Sequence, residues 1–132
     1  MNKLKRNEWI AFFLIMLIFS GGYWLYNYND KKIVLRNYKT SRGKIINYYR
    51  IGVEGVAYLE YEYFVPNKKY RREICPISNK YDFCDRNIER CKNKEFWVIY
   101  SRKYPSKSLI NLTKEIQGLD NAEFPKTLDN FE

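Results

Sequence analysis

The chain contains no histidine. That removes the commonest general base and the commonest metal ligand, and the usual partner of a Ser or Cys nucleophile. Cysteine is scarce. Cys75, Cys84 and Cys91 stand in a C-x8-C-x6-C pattern with no C-x-x-C pair. Without His beside them that spacing does not support a zinc site. No Gly-rich phosphate loop, nucleophile elbow or metalloprotease helix occurs, and there is no internal repeat or low-complexity run. These absences argue against an enzyme, and neither a cofactor nor a metal is expected. Acidic residues are the minority charge, 15 Asp and Glu against 24 Lys and Arg, for a formal net charge of +9.

What is abundant is apolar and aromatic, and it is concentrated first at the start. Lys3, Lys5 and Arg6 precede Trp9 to Tyr28, WIAFFLIMLIFSGGYWLYNY, a run with no charge. Twenty helical residues span about 30 Å, the thickness of a bilayer core. Trp9 marks one end and Tyr23, Trp24, Tyr26 and Tyr28 the other, as interfacial aromatic belts do. The expectation is a single-pass signal-anchor, residues 9–28, behind a basic N-tail, residues 1–8. A signal peptide cut after Ser20-Gly21-Gly22 is the competing reading. The apolar run continuing through Tyr23-Trp24-Leu25-Tyr26 favours the anchor. The N-tail cations argue for a cytoplasmic N-terminus. Lys31, Lys32, Arg36, Lys39, Arg42 and Lys44 beyond the span argue the reverse, but long domains translocate largely regardless of charge. The expected place is therefore the inner (cytoplasmic) membrane, with the C-terminal domain on its extracytoplasmic side.

Beyond the anchor and its flank about 95 residues remain, enough for one small domain with a modest core. Residues 29–39 read as a juxtamembrane linker or helix extension, and residues 40–117 as the domain. Thr40 to Ile51 is β-rich, with Gly43 suggesting a bulge or a strand start. Val56 to Val65 alternates, with Ala57, Leu59, Tyr61, Tyr63 and Val65 on one face. Pro66-Asn67-Lys68-Lys69 turns the chain into Tyr70 to Ile74, a hairpin. Tyr81, Cys84, Ile88 and Cys91 then fall on one helical stripe, capped at Ser78 or Asn79 and closed by Asn93-Lys94. Glu95 to Tyr100 and Ser108 to Leu112 are the last strands. Residues 118–132, with Asp120, Glu123, Asp129 and Glu132 against Lys126, read as an acidic flexible tail. Five short antiparallel strands with one short helix inserted predict a mainly β domain, a small barrel or curled sheet.

Four stretches stand out together: Gly43-Lys44-Ile45-Ile46, Leu59 to Val65, Asn67-Lys68-Lys69-Tyr70, and Trp97 to Ser108. Together they resemble a broad group of uncharacterised bacterial proteins with one membrane span and a small β-barrel-like domain. Members share a G-x-V/I first strand, a Y-x-Y/F-x-V-x-G/N-K-x-Y hairpin and a V-x-Y-x-x-x-x-P-x-x-S-x-L ending. The resemblance covers about Thr40 to Leu112. It implies the fold and no chemistry. The three cysteines and the Ser78 to Lys94 insert have no counterpart in that pattern.

Several groupings invite a functional reading. In an oxidising compartment the cysteines predict one disulfide and one spare thiol; in the cytoplasm all three would be small buried residues. If Asn79 to Cys91 is one helix, Cys84 and Cys91 stand about 10 Å apart along its axis and Cys75 must be one partner. Glu60 and Glu62 share a strand face and read as a solvated pair facing Lys69 or Arg71 across the hairpin. Lys68, Lys69, Arg71 and Arg72 form one basic cluster; Arg102, Lys103, Tyr104 and Lys107 form another. Such clusters bind nucleic acid elsewhere, but an exported domain meets little of it, so no nucleic acid partner is expected. The two clusters, beside a surplus of Tyr, are the candidate binding surface for a protein partner. The functional expectation is a non-catalytic, membrane-anchored interaction module, one version being an immunity-type protein. The alternative is a structural accessory subunit of a membrane complex that packs through Gly21-Gly22.

Overall fold

The computed structural model describes residues 3–53, 55–77, 79–92, 94–116 and 122–132. Helix α1, Lys3–Arg36, takes in the whole apolar run and continues past it. From Trp9 to Tyr28 its large side chains are exposed on every side, and α1 is long and apolar enough to cross a membrane. A helix apolar all round has no aqueous face to present. Its last two turns behave differently. Asp30 and Val34, four residues apart and so on one face, are both buried. The segment after the apolar run is thus a helix extension that docks on the domain.

Strands β1 (Tyr38–Ile51), β2 (Val56–Val65), β3 (Lys68–Ile74), β4 (Glu95–Ser101) and β5 (Ser108–Glu115) form one antiparallel sheet in the order β3-β2-β1-β4-β5. Gly52 and Gly55, both at positive φ, turn β1 into β2. Pro66 and Asn67 alone turn β2 into β3, with Asn67 at φ 68°, so Lys68 and Lys69 belong to the strand. Pro presets the first turn residue and Asn tolerates the left-handed second. The bulge lies between Ile45 and Asn47, not at Gly43. Gly43 matters for packing instead, because a Cβ there would meet Val98 Cγ2 at 2.5 Å. Its bare backbone lets Val98 of the neighbouring strand pack flat on β1.

The sheet is not closed, which corrects the barrel. Closure would require β3 to pair with β5. Instead the C-terminal residues take the edge of β5. The Ile110 and Glu132 backbones exchange two hydrogen bonds of 2.9 and 3.0 Å, and Phe131 is buried. Residues 122–132, expected as part of a loose tail, lie seated against the sheet. Phe124 packs edge-on to Trp97, and the Trp97 Nε1–H donates to the Glu123 carbonyl at 3.2 Å. Residues 118–121 of that tail lie outside the described residues.

Both sheet faces carry a core. One holds Ile45, Tyr48, Leu59, Tyr61, Tyr63, Phe96, Val98, Tyr100, Ile110 and Leu112. The other is smaller, and there Val34 of α1 meets Ile99, Leu109 and Phe131. Tyr81, Cys84 and Cys91 join the larger core from the segment between β3 and β4.

That segment is not one helix. Asn79–Tyr81 is a 3-10 turn, α2 covers only Phe83–Arg86, and Ile88–Arg90 is a second 3-10 turn. Asn87, at φ −154° and ψ 88°, breaks the run. The break folds the chain back, brings the Cα atoms of Cys84 and Cys91 to 5.6 Å and lets them form the disulfide. The expected pairing through Cys75 is therefore wrong; Cys75 is the free, exposed cysteine. Ser78 and Asn93, read as cap and stop, lie outside the described residues. Tyr48 and Arg50 anchor the segment from β1. The Tyr48 hydroxyl donates to Asp82 at 2.6 Å, and Arg50 pairs with Asp82 and Asp85.

Candidate functional site

The polar chemistry of this chain gathers where α1 meets the open side of the sheet. Asp30 is its centre. The residue is 6% exposed, and its carboxylate has Lys107 Nζ at 2.5 Å and an Arg72 guanidinium nitrogen at 3.9 Å. Three elements converge on it: α1, β3 and the β4–β5 connection. Arg72 stands opposite Tyr61 in the β2–β3 register, so both side chains share one face of the sheet. A buried carboxylate with one cation in direct contact and a second nearby keeps its charge compensated where water is scarce.

The β4–β5 connection is held firmly in place. The Tyr63 hydroxyl donates to the Pro105 carbonyl at 2.6 Å, and the Tyr61 hydroxyl lies 2.9 Å from Ser108 Oγ. The Lys107 amide donates to the Tyr104 carbonyl at 2.8 Å, and the Tyr104 amide donates to Ser101 Oγ at 3.1 Å. Burial pushes both the Tyr61 and Tyr63 hydroxyls above the ordinary tyrosine range. Both stay neutral, as Tyr63 must to donate to the Pro105 carbonyl.

Beside Asp30, α1 and this connection enclose a cleft of about 590 Å³ lined by Lys32, Ile33, Arg36, Ser101, Lys103 and Tyr104, with Asn29 and Asn37 at its ends. Lys32 and Arg36 stand four apart on a helix face different from that of Asp30 and Val34. Among the described residues none of Lys32, Arg36 and Lys103 has a carboxylate within ion-pair distance. Lys103 instead stands over the Tyr104 ring, 5.3 Å from its centroid. A second cleft, about 350 Å³, opens between α1 and the β3 edge near Cys75, with Lys31, Arg72, Glu73 and Glu132 in its wall.

The two basic clusters read from the sequence are thus divided. Lys69 and Arg71 both face Glu62, at 3.6 and 3.7 Å, the pairing expected across the hairpin. Lys68 stands over Tyr70 and Lys69 over Phe64. Arg72 and Lys107, from separate clusters, meet at Asp30. Lys103 and Tyr104 join Lys32 and Arg36 in the larger cleft, and Arg102 stays on the surface beyond it. Sequence reasoning missed Asp30, Lys32 and Arg36 as site residues. The signal was present: one acidic residue within a basic run, with 30/34 and 32/36 at helical spacing.

Among the described residues no group of three or more His, Cys, Asp or Glu side chains is placed to hold a metal ion. Compared with known proteins, the chain matches no family model, no curated protein and no solved structure. The likeness drawn from its motifs rests on those residues alone.

Proposed function

We propose that this chain is a non-catalytic interaction module that α1 anchors across the inner membrane, with its sheet domain on the extracytoplasmic side. The observation that carries this reading is the Asp30 junction. The side chains of the apolar part of α1 are exposed, while its last two turns are held against the sheet through Asp30 and Val34. A tether that only retains a domain near a membrane needs no such joint. A joint that sets the domain's attitude suits a surface that must meet its partner in one orientation. The Cys84–Cys91 disulfide supports the exported side, since such bonds persist in oxidising compartments.

The interaction reading covers an immunity-type protein that meets a soluble partner. Its rival, an accessory subunit of a membrane complex, draws on Gly21 and Gly22, which have nothing within 4 Å and leave room for a second helix. Crosslinking and co-purification of the full chain from native membranes separates the two. A soluble partner captured through the sheet domain supports the first reading. A stoichiometric integral partner crosslinked at Gly21-Gly22 replaces it with the second.

A further inference from the structure

We propose that the cleft between α1 and the β4–β5 connection binds the phosphate of an anionic lipid headgroup. The inference rests on α1 spanning the membrane, and it adds a ligand to that reading.

Three observations carry it. The first is charge. Arg42 and Lys44 share Glu95, Arg50 meets Asp82 and Asp85, and Lys69 and Arg71 share Glu62. Among the described residues the cleft brings Lys32, Arg36 and Lys103 together with no such partner. Asp30, the nearest acid on α1, is occupied by Lys107 and lies on another helix face. Three cations converging in one concavity repel each other until an anion enters.

The second is height. Lys32 lies one turn past Tyr28, the last belt aromatic, and Arg36 lies two turns past it, so about 6 and 12 Å further along the axis. The headgroup layer is about 5–7 Å thick on each side of the hydrocarbon. Helical side chains lean toward the helix N-terminus, here back toward the bilayer. Both cations therefore reach the level of lipid phosphates.

The third is shape. The cleft of about 590 Å³ is within the size of small-ligand sites. Its far wall, the Ser101–Lys107 connection, is braced by the Tyr63 and Ser101 hydrogen bonds, so Lys103 faces the helix from a fixed position. A guanidinium offers the paired donors that phosphate oxygens accept, and the lysines add point charge.

The test uses the full chain in detergent and native mass spectrometry with defined lipids. Phosphatidylglycerol should remain bound in preference to phosphatidylcholine. Lys32→Gln/Arg36→Gln/Lys103→Gln should lower that retention about tenfold or more, since each cation near a lipid surface contributes several-fold. Lys103→Gln alone, on an exposed loop side chain, should lower it partly. Lys68→Gln/Lys69→Gln/Arg71→Gln, the same charge removed from the hairpin, should leave it unchanged. Equal retention by the cleft variant and the native chain, or equal loss in the hairpin variant, would overturn the site. Displacement of the lipid by millimolar inorganic phosphate would overturn the lipid as its source. Alkaline carbonate extraction separates the premises. Release of the native chain into the supernatant sinks the span, whereas a carbonate-resistant chain without lipid selectivity sinks the cleft alone.

Discussion

At the scale of single residues, Asp30 is the side chain with the largest expected consequence. Asp30→Ala leaves Lys107 and Arg72 facing each other half-buried without their counter-ion. Removing one partner of a buried ion pair costs about 3–5 kcal/mol; the partial exposure of both cations brings the expectation to about 2–4 kcal/mol, read as a lower melting temperature of the full chain in detergent. Gly43→Val should be comparably severe for a steric reason, because the new side chain must displace branched Val98 at the centre of the sheet. Overpacking of that kind costs about 1–3 kcal/mol, read in the same melt. Tyrosine sets the alkaline limit of the fold. Burial, and for Tyr48 the hydrogen bond to Asp82, pushes Tyr48 and Tyr81 up to about 12, against about 10 in an unfolded chain. The neutral hydroxyl is the form the fold favours. That contribution is complete below pH 10 and is lost as pH rises from 10 to 12. Chemical denaturation midpoints should be flat up to about pH 9.5 in this respect and fall across that window. If tyrosinate absorbance of the folded protein rises in one step at pH 10, the assignment fails.

At the scale of elements, the segment between β3 and β4 depends on a covalent closure. A loop of this size closed by a disulfide gains about 2–3 kcal/mol in the chain-entropy account. Cys84→Ala/Cys91→Ala should therefore lower stability by roughly that amount and loosen α2, with hydrogen exchange rising first between Asn79 and Arg90. Maleimide labelling of the native chain should modify Cys75 alone, and Cys84 and Cys91 only after reduction. The C-terminal segment is the other dependent element. Phe131 fills the smaller core beside Val34, Ile99 and Leu109. Phe131→Ala should cost about 3–4 kcal/mol, far more than any substitution in a free tail, and a melt of that variant beside the native chain decides it.

At the scale of the whole molecule, one continuous helix enters the domain and is bonded to it, so helix and sheet turn as one unit. The proposed topology predicts C-terminal reporter fusions active only outside the cytoplasm. Activity of the cytoplasmic reporter alone would reverse the orientation and remove the oxidising environment that supports the disulfide. The joint also makes the orientation of the sheet depend on Asp30. Distance measurements by paired spin labels, one at Tyr28 and one at Phe64, should give a narrow distribution in the native chain and a broad one in Asp30→Ala.

The sequence alone determined whatever depends on neighbours in the chain. Trp9 to Tyr28 is a helix candidate by length and lack of charge, β2 by strict alternation, the β2–β3 turn by Pro66-Asn67, and the Glu62 pairs by cross-strand register. Each signal repeats over a few residues and needs no distant partner. The tertiary structure decided what depends on which distant groups arrive together. Whether five strands close or stay open turned on the edge of β5, where Phe131 and Glu132 compete with β3. Whether Cys84 could reach Cys91 turned on one residue, Asn87, leaving the helical region while Tyr81 and the disulfide are drawn into the core. The site was half legible. Lys103, Tyr104, Arg72 and Lys107 were visible as basic and aromatic clusters, but nothing local told which of them would be consumed by a carboxylate. That depended on Asp30, 42 residues from Arg72 and 77 from Lys107 in the chain, lying on a helix that packs across the open side of the sheet. Burial makes such a carboxylate take cations from wherever the fold supplies them, and three of the cations left over, Lys32, Arg36 and Lys103, line the cleft.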